Sequence, residues 1–294
     1  MLRVPYVGRF APSPTGPLHF GSLVAALASW LEARHAGGRW LLRMEDLDQP
    51  RVIPGAGDAI LRQLEALGLE WDGPVAYQSA RLELYVEALR KLEGHTYPCA
   101  CSRKELEDSA LAIDGSRIYP GTCRNGPPEG KAPRAIRLHT GEEPIRFTDK
   151  VQGTIEQSVE REVGDFVLRR ADGVFSYQLA VVVDDAAQGV TDVVRGSDLL
   201  DSTPRQIHLQ RLLGVATPRY LHVPVATNAA GEKLSKQTYA ADARREDLSK
   251  GLRFLGMNLP EEVSRISSKE MLEWASTHWD AGRIPKCRTI VFER

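Results

Sequence analysis

Residues 4–44 read VPYVGRFAPSPTGPLHFGSLVAALASWLEARHAGGRWLLRM, and this stretch decides the fold class. Val4–Phe10 is a short extended run. Ala11-Pro12-Ser13-Pro14-Thr15-Gly16-Pro17 follows and cannot be helix interior, because proline lacks an N–H donor and restricts the residue before it. From Leu18 to Arg34 the apolar residues Leu23, Ala26, Leu27, Trp30 and Leu31 recur at helical spacing. Gly37-Gly38 ends that helix, and Trp40–Met44 reads as a buried strand. Strand, turn, helix and strand make a βαβ unit. Its Gly/Pro-rich turn lies at the carboxyl end of the first strand, where open α/β sheets bind their ligands.

Further along, Ile60–Leu69 and Leu82–Leu92 also have helical spacing. Pro98 to Leu138 changes character: it holds Cys, Gly, Pro and Arg with little periodicity, as an insertion held by something other than a core would. Ile145–Leu168 alternates in short β-like runs, and two valine runs, Val181–Val183 and Val190–Val194, bracket Asp184-Asp185. Ser202–Leu213 reads as a helix capped by Ser202 or Thr203. Tyr220–Ala226 reads as one strand, and Asp247–Leu255 and Lys269–Thr277 as closing helices.

The chain has 294 residues, enough for two domains at roughly 150 each. Its 42% hydrophobic and 26% charged residues exclude a largely disordered protein. The net charge of −1 provides no global field for a nucleic acid, so any RNA site must be a local patch. No apolar run approaches the roughly 18–20 residues of a membrane span. The N-terminal MLRVPYVGRF has no apolar signal core, and the expected location is the cytoplasm.

Two short segments carry phosphate chemistry. Pro17-Leu18-His19-Phe20-Gly21-Ser22 opens a helix, whose free N–H groups and dipole attract anions. His19 can donate to a phosphate as charge builds, and Gly21 lets a flat ring or a phosphate approach the backbone. About 210 residues later, Glu232-Lys233-Leu234-Ser235-Lys236-Gln237 brackets a serine with two lysines able to neutralise a leaving pyrophosphate. Either segment alone is an ordinary turn or a solvated basic loop. In this order they resemble the paired signature motifs of the class I aminoacyl-tRNA synthetases. Gly8–Gly16, Arg43-Met44-Glu45-Asp46-Leu47-Asp48 and Val194-Arg195-Gly196-Ser197-Asp198-Leu199-Leu200 narrow the resemblance to the glutamyl/glutaminyl branch.

That resemblance implies an α/β fold: a Rossmann-like catalytic domain, an inserted zinc-stapled subdomain of the acceptor-binding type, and a short helical C-terminal piece. The boundaries expected are 1–97 and 176–245 for the two catalytic halves, 98–175 for the insertion and 246–294 for the tail. The implied reaction is adenylation of an amino acid by ATP with Mg²⁺, His19 and Lys236 being catalytic and His19, Gly21, Ser22, Lys233 and Lys236 binding ATP. Ser22 and Gln237 depart from the motifs, which leaves the α-phosphate role to His19 and the key lysine role to Lys236.

Glutamate demands a cation, and a guanidinium pairs with a carboxylate through two parallel bonds. Arg9 and Arg195 are the candidates, Glu45 suits an α-ammonium, and Tyr177 offers a hydroxyl and a wall. The resemblance assigns the same positions to L-glutamate, with Ala11 and Ser13 of the turn. Beyond Gln237 only 57 residues remain, too few for both a closing element and an anticodon-binding domain. This brevity, Ser22 and the cysteine cluster resemble the free-standing cores of that branch that transfer glutamate to queuosine in the anticodon of tRNA(Asp). The alternative is a compact enzyme charging a tRNA 3′ end. A monomer is expected.

Cys99-Ala100-Cys101 and Cys123 would suit one tetrahedral structural Zn²⁺, which needs a fourth ligand. His95 or water could complete the set, and family resemblance points instead to Tyr119. Cys287, in a basic tail, reads as an unligated thiol.

Overall fold

The computed structural model describes residues 5–234 and 244–292. Strand β1 (Val7–Phe10) runs parallel to β2 (Arg39–Met44), with Val7 opposite Arg39 and Phe10 opposite Leu42. Parallel neighbours need a crossover. Helix α1 (Phe20–His35) supplies it and is buried on nearly every side, as suits a core helix with little amphipathic contrast. At the return, a Cβ on Gly38 would lie 2.4 Å from the Tyr6 carbonyl oxygen, so only glycine lets the chain re-enter beside β1. Helix α2 (Ala56–Leu67) ends at Gly68 in the left-handed conformation, and β3 (Ala76–Tyr77) extends the sheet beside β2. Helix α3 (Leu82–Lys91) then leads away from it.

Strands β4 (Thr96–Cys99) and β5 (Ala135–Leu138) pair antiparallel and carry the cysteine-rich loops between them. The hairpin β6 (Ile145–Asp149) and β7 (Gly153–Gln157) returns to the main body, before α4 (Val159–Glu162) and β8 (Val167–Arg169), which rejoins β5. Helix α5 (Tyr177–Ala187) contains the first valine run. Burial of Val181 and Val182 in the second core outweighs their β preference there. Strand β9 (Asp192–Gly196), helix α6 (Thr203–Leu213) and strand β10 (Arg219–Val223) complete this half, with β10 parallel to both β9 and β6.

β9 also lies beside β1, where the Thr191 N–H donates to the Val7 carbonyl at 2.9 Å. The order across the molecule is therefore β3, β2, β1, β9, β10, β6, β7. The winding direction reverses between β1 and β9, and the crevice at their carboxyl ends is the site that such a topology provides.

The strand expected over Tyr220–Ala226 is broken. Pro224, without an N–H, separates β10 from β11 (Val225–Thr227), which pairs with β12 (Thr289–Val291) instead. Helices α7 (Glu246–Phe254), α8 (Glu261–Arg265) and α9 (Ser268–Thr277) form the tail. Leu248, Leu252, Met271 and Leu272 join α1 in the first core, and Trp279 donates its indole N–H to Glu32 of α1 at 2.7 Å. The C-terminal piece thus closes one face of the catalytic fold. Helices α3, α5 and α6 cover the other.

Candidate active site

A cleft of about 810 Å³ opens where β1, β2, β9 and β10 end. Arg9, Ala11 and Ser13 line it from β1 and its turn, and Glu45 follows β2. Tyr177 opens α5 and Arg195 lies near the end of β9. His19, Gly21, Ser22 and Lys233 line it too. Lys236 lies outside the described residues. The Pro-rich turn is pinned at both sides: the Glu45 N–H donates to the Pro12 carbonyl and the Ile53 N–H to the Pro14 carbonyl, each at 3.0 Å.

Arg9 is already engaged by a carboxylate. Its Nε and Nη2 donate to the two oxygens of Asp185 at 3.1 and 3.2 Å, which among the described residues leaves Nη1 and one Nη2 hydrogen uncommitted. Asp185, on α5, also accepts from Arg43 Nη1 at 2.8 Å. Arg43 is fully buried and reaches Glu45 through Nη2 at 3.5 Å. The neighbouring Asp184 accepts from Gln78, Arg81 and Tyr85. Burial pushes the Asp185 carboxyl up, but the Arg9 and Arg43 charges outweigh it and hold the group below its ordinary value. Burial dominates at Glu45 and raises it despite the same two arginines. An incoming ammonium would favour its charged form.

Arg195 is held on several sides. Nε donates to His222 Nε2 at 3.0 Å, Nη1 to Tyr177 Oη at 3.1 Å, and Nη2 to Thr203 Oγ1 at 2.9 Å and the Leu199 carbonyl at 3.4 Å. Of five N–H donors, one on Nη1 is left uncommitted among the described residues. Tyr177 accepts from Arg195, so its own hydroxyl hydrogen is available. Arg195 Nη1 and the Tyr177 hydroxyl thus give the cleft a mixed pair of donors, one N–H and one O–H.

At the start of the helix, His19 is the N-cap of α1. Its Nδ1 accepts from the Ser22 N–H at 3.3 Å, which places the proton of the neutral ring on Nε2, 2.9 Å from Ser22 Oγ. Ser22 is thus the partner that orients His19, a role its residue type does not announce. The two motifs meet here: a Cβ on Gly21 would lie 3.2 Å from the Leu234 carbonyl oxygen. Lys233 pairs with Asp198 at 2.5 Å, another residue of the cleft wall.

The cysteines form a separate cluster. The sulfurs of Cys99, Cys101 and Cys123 all lie within 4.8 Å of one another, Cys101 and Cys123 at 3.6 Å. Tyr119 Oη is 3.5 Å from the Cys99 and Cys101 sulfurs and accepts from the Cys123 N–H at 2.9 Å. Arg137 donates to Cys99 Sγ at 3.3 Å and stacks on the Tyr119 ring at 3.7 Å, a cation well placed to offset thiolate charge. Burial raises the Cys123 thiol, but hydrogen bonds led by Tyr119 outweigh it and bring it down to about 7. Three thiols and a phenol converging beside a guanidinium fit a bound metal ion, and the group could hold one. Cys287 stands apart as a free thiol.

Residues 6–290 match the family of class I tRNA synthetases (E and Q), catalytic domain. The chain is 59% identical to the glutamyl-Q tRNA(Asp) synthetase of Dechloromonas aromatica (strain RCB), with 98% of each chain covered. It is 53% identical to the enzyme of that name from Pseudomonas aeruginosa, again over 98% of each. It superposes on the crystal structure of glutamate-tRNA synthetase from Elizabethkingia anophelis with a TM-score of 0.81 at 26% identity, covering 99% of this chain and 68% of that one. No helix among the described residues is long and apolar enough to cross a membrane. In sequence across nearly its whole length, and in fold, the chain belongs to the class I glutamyl/glutaminyl tRNA synthetase family and, within it, to the glutamyl-Q tRNA(Asp) synthetases.

Proposed function

We propose that the protein activates L-glutamate with ATP and transfers it to queuosine in the anticodon of tRNA(Asp). The observation that carries this reading is the meeting of the two phosphate-handling segments in one cleft whose other end is lined by Arg9, Glu45, Tyr177 and Arg195. Glutamate lies with its ammonium at Glu45. Its side-chain carboxylate faces the open edge of Arg9 and the paired donors of Arg195 and Tyr177. The backbone at Ala11 and Ser13 closes the turn side.

An oxygen of the α-carboxylate attacks the α-phosphorus of ATP, and the bond to pyrophosphate breaks. His19 and the α1 N-terminus stabilise the charge growing on the α-phosphate, and Lys233 and Lys236 receive the departing pyrophosphate. Mg²⁺ enters with ATP and offsets phosphate charge. A hydroxyl of the queuosine cyclopentenediol then attacks the activated carbonyl, an ester forms and AMP leaves. The test uses radiolabelled glutamate, ATP and tRNA(Asp). Label is expected to persist when the 3′-terminal adenosine is removed and to vanish when queuosine is replaced by guanosine. The reverse pattern would mark an enzyme that charges the 3′ end.

The cysteine cluster, with Tyr119, holds one structural Zn²⁺ that staples the loops between β4 and β5. Metal analysis of the purified protein is expected to give about one zinc per chain. Chelation is expected to loosen residues 99–134 first, read as early amide exchange there. A metal-free protein with unchanged protection would remove the zinc assignment.

A further inference from the structure

Arg195 leans on a buried pair outside the cleft lining. His222 on β10 and Asp149 at the end of β6 are both inaccessible, and His222 Nδ1 lies 2.6 Å from Asp149 Oδ2. Asp149 is itself fixed through its other oxygen, which accepts from the Val151, Gln152 and His222 N–H groups at 3.0, 2.8 and 3.2 Å. Two contacts independently set the state of the imidazole. A carboxylate only accepts, so Nδ1 carries the proton. A guanidinium only donates, so Nε2 presents a lone pair to Arg195 Nε. A protonated ring would set N–H against N–H at that contact.

We propose that His222 and Asp149 act as a positioning pair for glutamate recognition: Asp149 fixes the Nδ1–H tautomer of His222, and His222 Nε2 fixes the rotation of the Arg195 guanidinium. This inference rests on the assignment of Arg195 to the glutamate site. Tyr177, Thr203 and Leu199 hold the two outer nitrogens, and among the described residues His222 alone anchors Nε. With that anchor gone, the guanidinium can pivot and its one spare N–H no longer points steadily at the ligand. Burial pushes the imidazole down to about 4, which keeps the lone pair present at neutral pH. The pair also ties recognition to the segment after β5, because Asp149 comes from the hairpin that returns from the cysteine-bearing part of the chain.

Two polar substitutions separate this role from simple packing. In His222→Asn the amide reaches the Nδ1 position, keeps the bond to Asp149 and loses the acceptor for Arg195. In His222→Gln the amide oxygen reaches the Nε2 position and keeps that acceptor. In glutamate-dependent pyrophosphate exchange with the full chain, the Asn variant is expected to raise KM for glutamate about ten- to a hundredfold, the worth of a hydrogen bond to a charged group. KM for ATP should stay near that of the parent. The Gln variant should recover most of the loss. In an Arg195→Gln background the Asn substitution should add nothing further.

Equal effects of Asn and Gln, or equal effects on both substrates, would overturn the proposal. The wild-type protein gives a check independent of any variant's folding: imidazole ¹⁵N shifts should show His222 protonated at Nδ1 and bare at Nε2, and the opposite tautomer would refute the arrangement. A wild type that shows no exchange with glutamate would refute the functional reading instead, which keeps the two failures distinct.

Discussion

Asp185→Asn is expected to cost about 3–5 kcal/mol of stability and to abolish most glutamate-dependent pyrophosphate exchange. Asp185 carries the only carboxylate that contacts both Arg9 and Arg43 among the described residues. Arg43 is fully buried, and among the described residues its Nε has no hydrogen-bond partner, only Asp184 Oδ2 at 3.8 Å. Breaking a buried ion pair by removing one partner leaves a charge out of water without compensation, and this costs far more than the pair itself contributes. The isosteric amide keeps the volume but not the charge. Because Arg43 also reaches Glu45, the same change disturbs the candidate contacts to both ends of the amino acid. Denaturant unfolding measures the first effect and exchange kinetics the second. A variant within about 1 kcal/mol of the parent would mean that Asp185 does not hold this cluster together.

Arg195→Gln is expected to raise KM for glutamate by about 2–5 kcal/mol, roughly 30- to 5,000-fold, with KM for ATP little changed. The substitution removes the spare N–H on Nη1 and releases Tyr177, so both donors of the mixed pair are lost or displaced. It also takes the guanidinium from His222 Nε2 and leaves that lone pair, among the described residues, only the Thr203 hydroxyl at 3.3 Å. Titration calorimetry with glutamate alone isolates the binding loss from any change in chemistry. Unchanged affinity in a folded variant would place the carboxylate elsewhere.

Local physics made much of the chain readable in advance. Proline cannot enter a helix interior, so the turn between Phe10 and Leu18 and the start of α1 near His19 followed from the residues alone. Helical spacing located α1, α2, α3, α7 and α9 to within a few residues. The strand over Tyr220–Ala226 went wrong for the same kind of reason: an apolar run masks Pro224, whose missing N–H splits it and sends β11 to a different partner. Two valine runs look alike on paper, and only burial turned the first into helix.

In the cleft, residues that chemistry marks as useful for a charged substrate came together as their types suggested, except that Lys236 lies outside the described residues. Their supports did not announce themselves. Asp184-Asp185 appears in the sequence only as a pair between two valine runs, and it is α5 that turns both carboxylates inward. Asp185 lies 176 residues from Arg9, and Asp149 lies 73 from His222.

The amino-acid order alone determined the βαβ start, the two motif-like segments and the three closely spaced cysteines, because steric rules, helical period and residue chemistry act over a few neighbours. Only the tertiary structure decided which cations are already neutralised, which donor hydrogens remain for a ligand, and which histidine holds an arginine in place. Those depend on burial and on distances between segments far apart in the chain, and the energy of a buried charge is set by whatever the fold brings within a few ångströms of it.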